Sequence, residues 1–415
     1  MGQFSTSCKF ESSSRDMQRP FDYKSDLQYS VQTSRIILRM IGAWPLSKHS
    51  SISEKILTRY INVFCYFLLL GTLVPGLLRV VLKEKNPRIR LKMIGPFVNC
   101  ILCMIKYSFL LSRAGAIRKC VETMGNDWKE VAQSNDRPVL ILAVKVARQL
   151  TMLSVIFMYG GGLSYRIIVP LSRGTIVTSQ NVTIKPLACA GYFFKLNEQA
   201  TPAYEIIFMI QFVAGLVSYS VACGLCGLAA MFVMHTCGQL KILIGRMVAL
   251  SEGTYSSDES VNSQLAAIVR HQIHIQLFLK EVEAILQHPC LVEIVGCTCL
   301  TCLAGYFCIL EWESSDATAA FTYCVLLVSF GFSIFLFCYI GQLLTNQSNE
   351  VAVAASTINW YRLPPAKARS MILIIAMSHC PAKLSAGKIM EMSLTSFANI
   401  IKAAVGYFNI LRKTI

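Results

Sequence analysis

The sequence predicts an all-α membrane protein with seven transmembrane helices, a cytoplasmic N-terminus and an extracellular C-terminus. Extensions of helices 4–7 are expected to form a cytoplasmic helical anchor. Three observations carry this prediction. Hydrophobic residues make up 54% of the 415-residue chain and charged residues only 15%, against about 25% charged in soluble domains. Apolar runs long enough for a hydrocarbon core of about 30 Å recur along the chain. Lys and Arg are about twice as frequent in the segments that would lie inside as in those outside.

The first 55 residues are polar and basic, with no apolar core before Ile56. The first span is therefore expected to act as its own insertion signal. Seven spans follow, roughly Tyr60–Leu78, Met93–Leu111, Leu150–Tyr165, Ile206–Met234, Ile294–Leu310, Ala319–Leu344 and Met392–Leu411. The third is the weakest, because Arg148 and Arg166 bracket it closely. The basic loop Lys83–Lys92 runs against the charge bias, whereas the charges of the Glu311–Asp316 loop are all acidic. Two glycosylation sequons test the orientation: Asn181 falls outside and Asn346 inside.

The stretch between spans four and five, residues 235–289, has a break rich in Ser, Gly and acids at Ser251–Ser263. Both flanks have a helical pattern, with Ile268, Ile275 and Val282 at seven-residue spacing. Spans four and five are thus expected to continue into the cytoplasm and pack there. A further amphipathic stretch, Ser348–Tyr361, stops at Pro364-Pro365. Trp360 and Tyr361 suit either a membrane interface or a protein core. The short run Met371–Met377 cannot span and reads as a helix outside the membrane. The expected organisation is a cytoplasmic segment 1–55, helices 1–6 with a ligand pocket over 56–344, anchor helices over 345–384, and a last transmembrane helix over 385–415.

That last helix has a distinctive pattern. Thr395, Asn399, Lys402, Gly406, Asn409 and Lys413 follow at steps of three and four, and only Ser396 departs from the otherwise apolar remainder. This is one polar face on an apolar helix, the pattern of a wall along a water-filled path. Lys402 either faces that path or snorkels to the cytoplasmic end. Lys106, about two turns from Arg113, is expected to snorkel. Glu293 is expected to pair or to meet solvent.

No catalytic constellation, cofactor motif or phosphate-binding loop is present. The net charge of +16 is spread over loops rather than gathered on one face, which argues against a nucleic-acid partner. Most of the seventeen cysteines, including Cys223, Cys226, Cys297, Cys299 and Cys302, fall in apolar spans and act as small hydrophobes. Cys189 alone is expected to be exposed on the outside. His271 and His274 stand at i, i+3 without a third metal ligand and read as a solvated face. A ligand site would be apolar with a few polar anchors. The candidates are Phe97 and Met104, then Phe157, Met158, Gly161 and Tyr165, then Met209, Ile210 and Val213, then Phe321, Tyr323 and Leu326, with the two tyrosines as anchors.

The chain resembles the insect odorant receptor family. The residues that carry the resemblance are Ser348-Asn349-Glu350-Val351-Ala352, Trp360-Tyr361-Arg362-Leu363-Pro364, Ser385-Ala386-Gly387-Lys388, and Ser393-Leu394 through Tyr407-Phe408, with Asp127-Trp128 as a weaker match. The resemblance implies a ligand-gated, non-selective cation channel of olfactory sensory neurons, tetrameric, with a central pore lined by span seven. It implies a tuning subunit that binds a small apolar odorant and assembles with a co-receptor, whose long extra loop has no room in residues 235–287. The family's outer hydrophobic gate maps to Ile410 and Thr414. Thr414 departs from the apolar type, and Lys402 and Lys413 add positive charge to a cation path. Both departures imply a poor homomeric pore. The related gustatory receptors end in a pattern that Gly406-Tyr407-Phe408-Asn409 does not match. A G-protein-coupled receptor would need an external N-terminus, and a secondary transporter would favour internal repeats, which are not evident.

Overall fold

The computed structural model describes residues 22–47, 50–132, 134–173, 176–177, 183–184, 187, 189, 191–193, 199–252, 258–357, 365–379 and 381–414. Asn181, Trp360 and Tyr361 lie outside the described residues. Ten helices are described: α1 Tyr23–Met40, α2 Ile52–Leu82, α3 Pro87–Ser112, α4 Ala114–Val131, α5 Arg137–Arg173, α6 Ala203–Glu252, α7 Asp258–Glu313, α8 Ala317–Thr357, α9 Pro365–Ser378 and α10 Leu394–Thr414. Two short antiparallel pairs join them, β1 Ile176–Val177 with β2 Thr183–Ile184, and β3 Ser385–Ala386 with β4 Met390–Glu391. Among the described residues, α2, α3, α5, α6, α7 and α8 are long and apolar enough to cross a membrane.

Helix length divides the molecule into two tiers. α6 has 50 residues and α7 has 56. At 1.5 Å per residue these run about 75 and 84 Å, more than twice the membrane core. Both helices are continuous, so the predicted extensions of spans four and five are the same helices carried past the membrane. α6 is the most buried of the spanning helices and packs against α1, α2, α3, α5, α7 and α8. α2 instead exposes Tyr60, Val63 and Phe67 along one face, at the spacing of a helix side turned to lipid.

The second tier, the platform, contains two helices that the apolar runs do not predict. α1 starts at Asp22, whose side chain accepts from the Lys24 amide at 3.0 Å. It is mostly polar and holds its place through buried Asp26, which accepts from Arg137 of α5 in a two-pronged pair at 2.7 and 3.0 Å. α4 buries Trp128 and Asp127. The Asp127 carboxylate meets Nε2 of His235 on α6 and Nε2 of His274 on α7, both at 2.8 Å. One acid thereby ties three helices together. His271 bonds Gln239 at 2.9 Å and Arg246 at 3.2 Å. The His271 and His274 face is therefore a bonded seam rather than a solvated surface. Burial, and then the Arg246 charge, push the His271 imidazole down to about 4.

α10 is positioned from both ends of a tight turn. Gly387, at φ +61°, sits between β3 and β4, and its amide donates to the Gln287 carbonyl of α7 at 2.8 Å. Gly341 of α8 lets the chain pass just after β4: a Cβ there would stand 2.2 Å from the Met392 carbonyl oxygen. α10 then leans on α7 and α8.

Candidate functional site

A cavity opens between α3, α5, α6, α7 and α8. It holds about 1050 Å³ free of protein atoms, counting its open mouth. Its upper wall is aromatic, with Tyr165 and Tyr323 ring centres 6.3 Å apart and Phe307 5.5 Å from Tyr323. At the mouth Lys92 of α3 bonds Glu311 of α7 and stands over the Tyr323 ring.

The floor is charged. Lys106 of α3 donates to Glu293 of α7, and both are buried. The Ser333 hydroxyl of α8 donates to the same carboxylate at 2.9 Å, and the Cys297 thiol at 3.3 Å. Lys106 thus does not snorkel. A carboxylate with three donors lies within reach inside the bundle, so the ammonium has no need to reach the interface. The pairing of Glu293 follows the expectation that it meets a partner.

Arg166 forms the side wall with a different set of partners. Its Nε donates to the Tyr219 hydroxyl at 3.0 Å and its Nη1 to the Gln211 carbonyl. Gln211, Gly215 and Tyr219 stand at i, i+4 and i+8 on one face of α6. The guanidinium lies across the gap at Gly215, where a Cβ would come within 2.2 Å of Nε. Gly162 of α5 makes room for Tyr219, since a Cβ there would come within 2.0 Å of its ring. The Gln211 side chain exchanges two bonds with the Cys189 backbone, at 3.1 and 2.6 Å. Cys189 is therefore buried against α6 rather than exposed. Fifteen cysteines are described and all are free.

The sequence-predicted ligand residues divide into two groups. Met158, Tyr165, Tyr323 and Leu326 line the cavity. Gly161 sits at the close approach of α5 to Ser329 of α8, and Phe157 stacks on Phe332 with ring centres 3.8 Å apart. The others lie elsewhere. Phe97 is buried against α2 at Gly76, Ile210 rests beside Gly71 and Val213 packs into the core. Met104 lines a shallow groove with Leu73 and Ile101. Met209 and Phe321 are 55% and 60% exposed. Phe321 and Tyr323 are two positions apart, which is about 200° around a helix, so one faces away when the other faces in. Met209 and Ser218 are nine positions apart, about half a turn in phase.

Arg166, Tyr219, Lys106 and Glu293 were missing from that set, although all four line the cavity. An apolar pattern points to the outer halves of the spans, and these four are its polar exceptions. Gly162, inside the triple-glycine run, was the available signal, because it marks where a bulky neighbour approaches.

The polar stripe of α10 faces away from its own subunit. Phe397, Ile400 and Ala404 pack inward, whereas Thr395, Asn399, Lys402 and Gly406 are exposed. α10 extends through Asn409, Ile410, Lys413 and Thr414, whose side chains lie outside the described residues.

The family model for the 7tm odorant receptor matches residues 90–405, most of the chain. The chain belongs to the 7tm odorant receptor family. Among curated odorant receptors, odorant receptor 10 of Aedes albopictus is 24% identical over 218 residues, covering 51% of this chain and 56% of that protein. Odorant receptor 30a of Drosophila melanogaster is 21% identical over 315 residues, covering 75% and 78%. The match thus spans little more than half of the first relative and most of the second. The solved olfactory receptor OR5 from Machilis hrabei, in complex with eugenol, superposes with a TM-score of 0.75 at 17% identity, over 95% of this chain and all of that one. The same receptor described without eugenol gives 0.73 at 16%. The chain is a multi-pass membrane protein of a non-enzymatic family.

Proposed function

We propose that this odorant receptor is the ligand-binding subunit of a heteromeric, odorant-gated, non-selective cation channel of olfactory sensory neurons. The observation that carries the proposal is the opposition within one molecule of a cavity inside the bundle and an outward-turned polar stripe. The cavity takes the odorant. The stripe, whose Asn399, Lys402 and Gly406 face away from their own bundle, is one subunit's share of a central pore; Asn409, Ile410, Lys413 and Thr414 complete the pore residues read from the sequence.

Cavity and stripe are linked through α7 and α8. Cys297, Leu300 and Ala304 of α7 line the cavity, and Cys302 of the same helix donates to the Ala404 carbonyl of α10 at 3.4 Å. Phe330 of α8 lines the cavity, and Phe335 packs edge-on against Phe397 at 5.5 Å. An odorant that favours one packing of α7 and α8 shifts α10 by its differential affinity for the two states. The platform of α1, α4, α9 and the extended ends of α5–α8 anchors the assembly on the cytoplasmic side.

Lys402 in a cation path favours co-receptor subunits supplying most of the wall. Co-expression with the co-receptor, followed by recording in excised patches under a panel of apolar odorants, tests the reading. The expected result is odorant-evoked cation current only when both subunits are present. Current that requires G-protein signalling and vanishes on excision refutes it.

A further inference from the structure

The cavity wall presents three cationic side chains. Lys92 is answered by Glu311 and Lys106 by Glu293. Arg166 differs. It is buried, yet no carboxylate stands within ion-pair distance among the described residues. Its two bonds go to a phenol and a backbone carbonyl, both neutral. A guanidinium has five N–H donors, and three here have no acceptor among the described residues.

The setting is built rather than incidental. Gly215 supplies the gap in which the guanidinium lies, and Gly162 the gap for the Tyr219 ring that holds it. Gln211 fixes the far end and is itself fastened to Cys189. A side chain with five donors, seated by two glycines and held at two points, is restricted in where its remaining N–H groups can point. Apolar side chains, Met158, Ala222 and Leu326 among them, share the lining with it, and the charged floor is closed by the Lys106–Glu293 pair.

We propose that Arg166 is the specificity-determining residue of this cavity and that its ligands are small amphiphiles with an apolar tail and a carboxylate head. A carboxylate accepts two parallel bonds from one guanidinium and supplies the missing negative charge. An alcohol of the same length offers one weaker acceptor, and an amine brings a second positive charge. The proposal rests on the reading of this cavity as the odorant site.

The test is radiolabelled octanoate binding to the full-length chain with its co-receptor in lipid nanodiscs at neutral pH. 1-Octanol and octylamine compete as probes with the same tail. Octanoate is expected to bind about tenfold or more tighter than either, the scale of a charge-assisted hydrogen bond. Arg166→Gln is expected to abolish that preference, and Arg166→Lys to restore part of it. Equal competition by 1-octanol or octylamine in the unaltered protein overturns the proposal without reliance on any variant. So does wild-type octanoate affinity in a folded Arg166→Gln protein. Binding is read without gating, so the two readings separate. Octanoate binding with no odorant-evoked current in any patch keeps this assignment and removes the channel reading. Current evoked by neutral odorants that octanoate neither evokes nor blocks does the reverse.

Discussion

The platform and the cavity both bury charge, and they treat it differently. In the platform two buried acids are each met by partners fixed on other helices: Asp26 by Arg137, and Asp127 by His235 and His274. In the cavity Lys106 and Glu293 are met in the same way, but Arg166 bonds only neutral groups. Closed pairs hold helices in one arrangement, because separating them strands a charge in a low-dielectric interior. A cation whose neighbours are neutral adds little of that locking. The acids that anchor α1 and α4 thus sit in closed pairs, whereas Arg166 in the tier that binds does not.

Breaking the closed pair in the cavity floor should have the largest effect. Glu293→Ala leaves Lys106 buried without its acid and is expected to destabilise by about 3–5 kcal/mol. Fluorescence-detected size exclusion of the solubilised protein should show loss of the folded peak. Lys106→Met combined with Glu293→Leu should recover most of it. A single variant as stable as the unaltered protein would show that floor and side wall do not differ.

Asp127→Ala tests the platform side. It removes the acceptor of two histidines and is expected to cost about 2–3 kcal/mol. The loss should appear as a lower melting temperature, while octanoate affinity in the folded fraction stays unchanged. A matched loss of affinity would mean that the two tiers are not separable.

Gly162→Ala sharpens the comparison from the cavity side. Its Cβ meets the Tyr219 ring, an overpacking of about 1–3 kcal/mol. Displaced Tyr219 should release Arg166, so ligand preference should fall further than stability does. A change in melting temperature with unaltered preference would detach Tyr219 from recognition.

The smallest expected effect is that of pH on the platform. Arg246 donates to Nδ1 of His271, and the ring's Nε2–H donates to Gln239. A proton on Nδ1 would set two donors face to face. The folded protein holds this imidazole neutral down to about 4, against 6.5 when unperturbed. The unfolded chain therefore binds the proton first, and stability is lost as pH falls from 6.5 towards 4. Melting curves at pH 7 and pH 5 should show the drop, and His271→Gln should lessen it. An equal drop in that variant would assign it to other groups.

Much of the architecture was legible from local pattern. The apolar runs locate the spanning helices, and the heptad spacing of Ile268, Ile275 and Val282 signals that α7 continues past the membrane. α1 and α4 were not legible, since their stabilising contacts are Asp26 to Arg137 and Asp127 to two histidines on other helices. The cavity was legible by half. Tyr165 and Tyr323 stand out as hydroxyls in apolar walls, but the facing of Met209 and Phe321 depends on helix rotation, which weakly amphipathic helices such as α6 and α8 do not encode.

The sequence by itself determined the membrane class, the spanning helices α2, α3 and α5–α8, the family and the polar stripe of α10. Each is a property of composition, period or motif within a short window. The tertiary structure alone decided which charges meet. Lys106 and Glu293 are 187 positions apart, and Asp26 and Arg137 are 111 apart. A buried charge shows in the sequence only as an exception to apolarity. Whether it is locked in a pair or left for a ligand depends on the helix packed against it, and packing is not a local property of the chain.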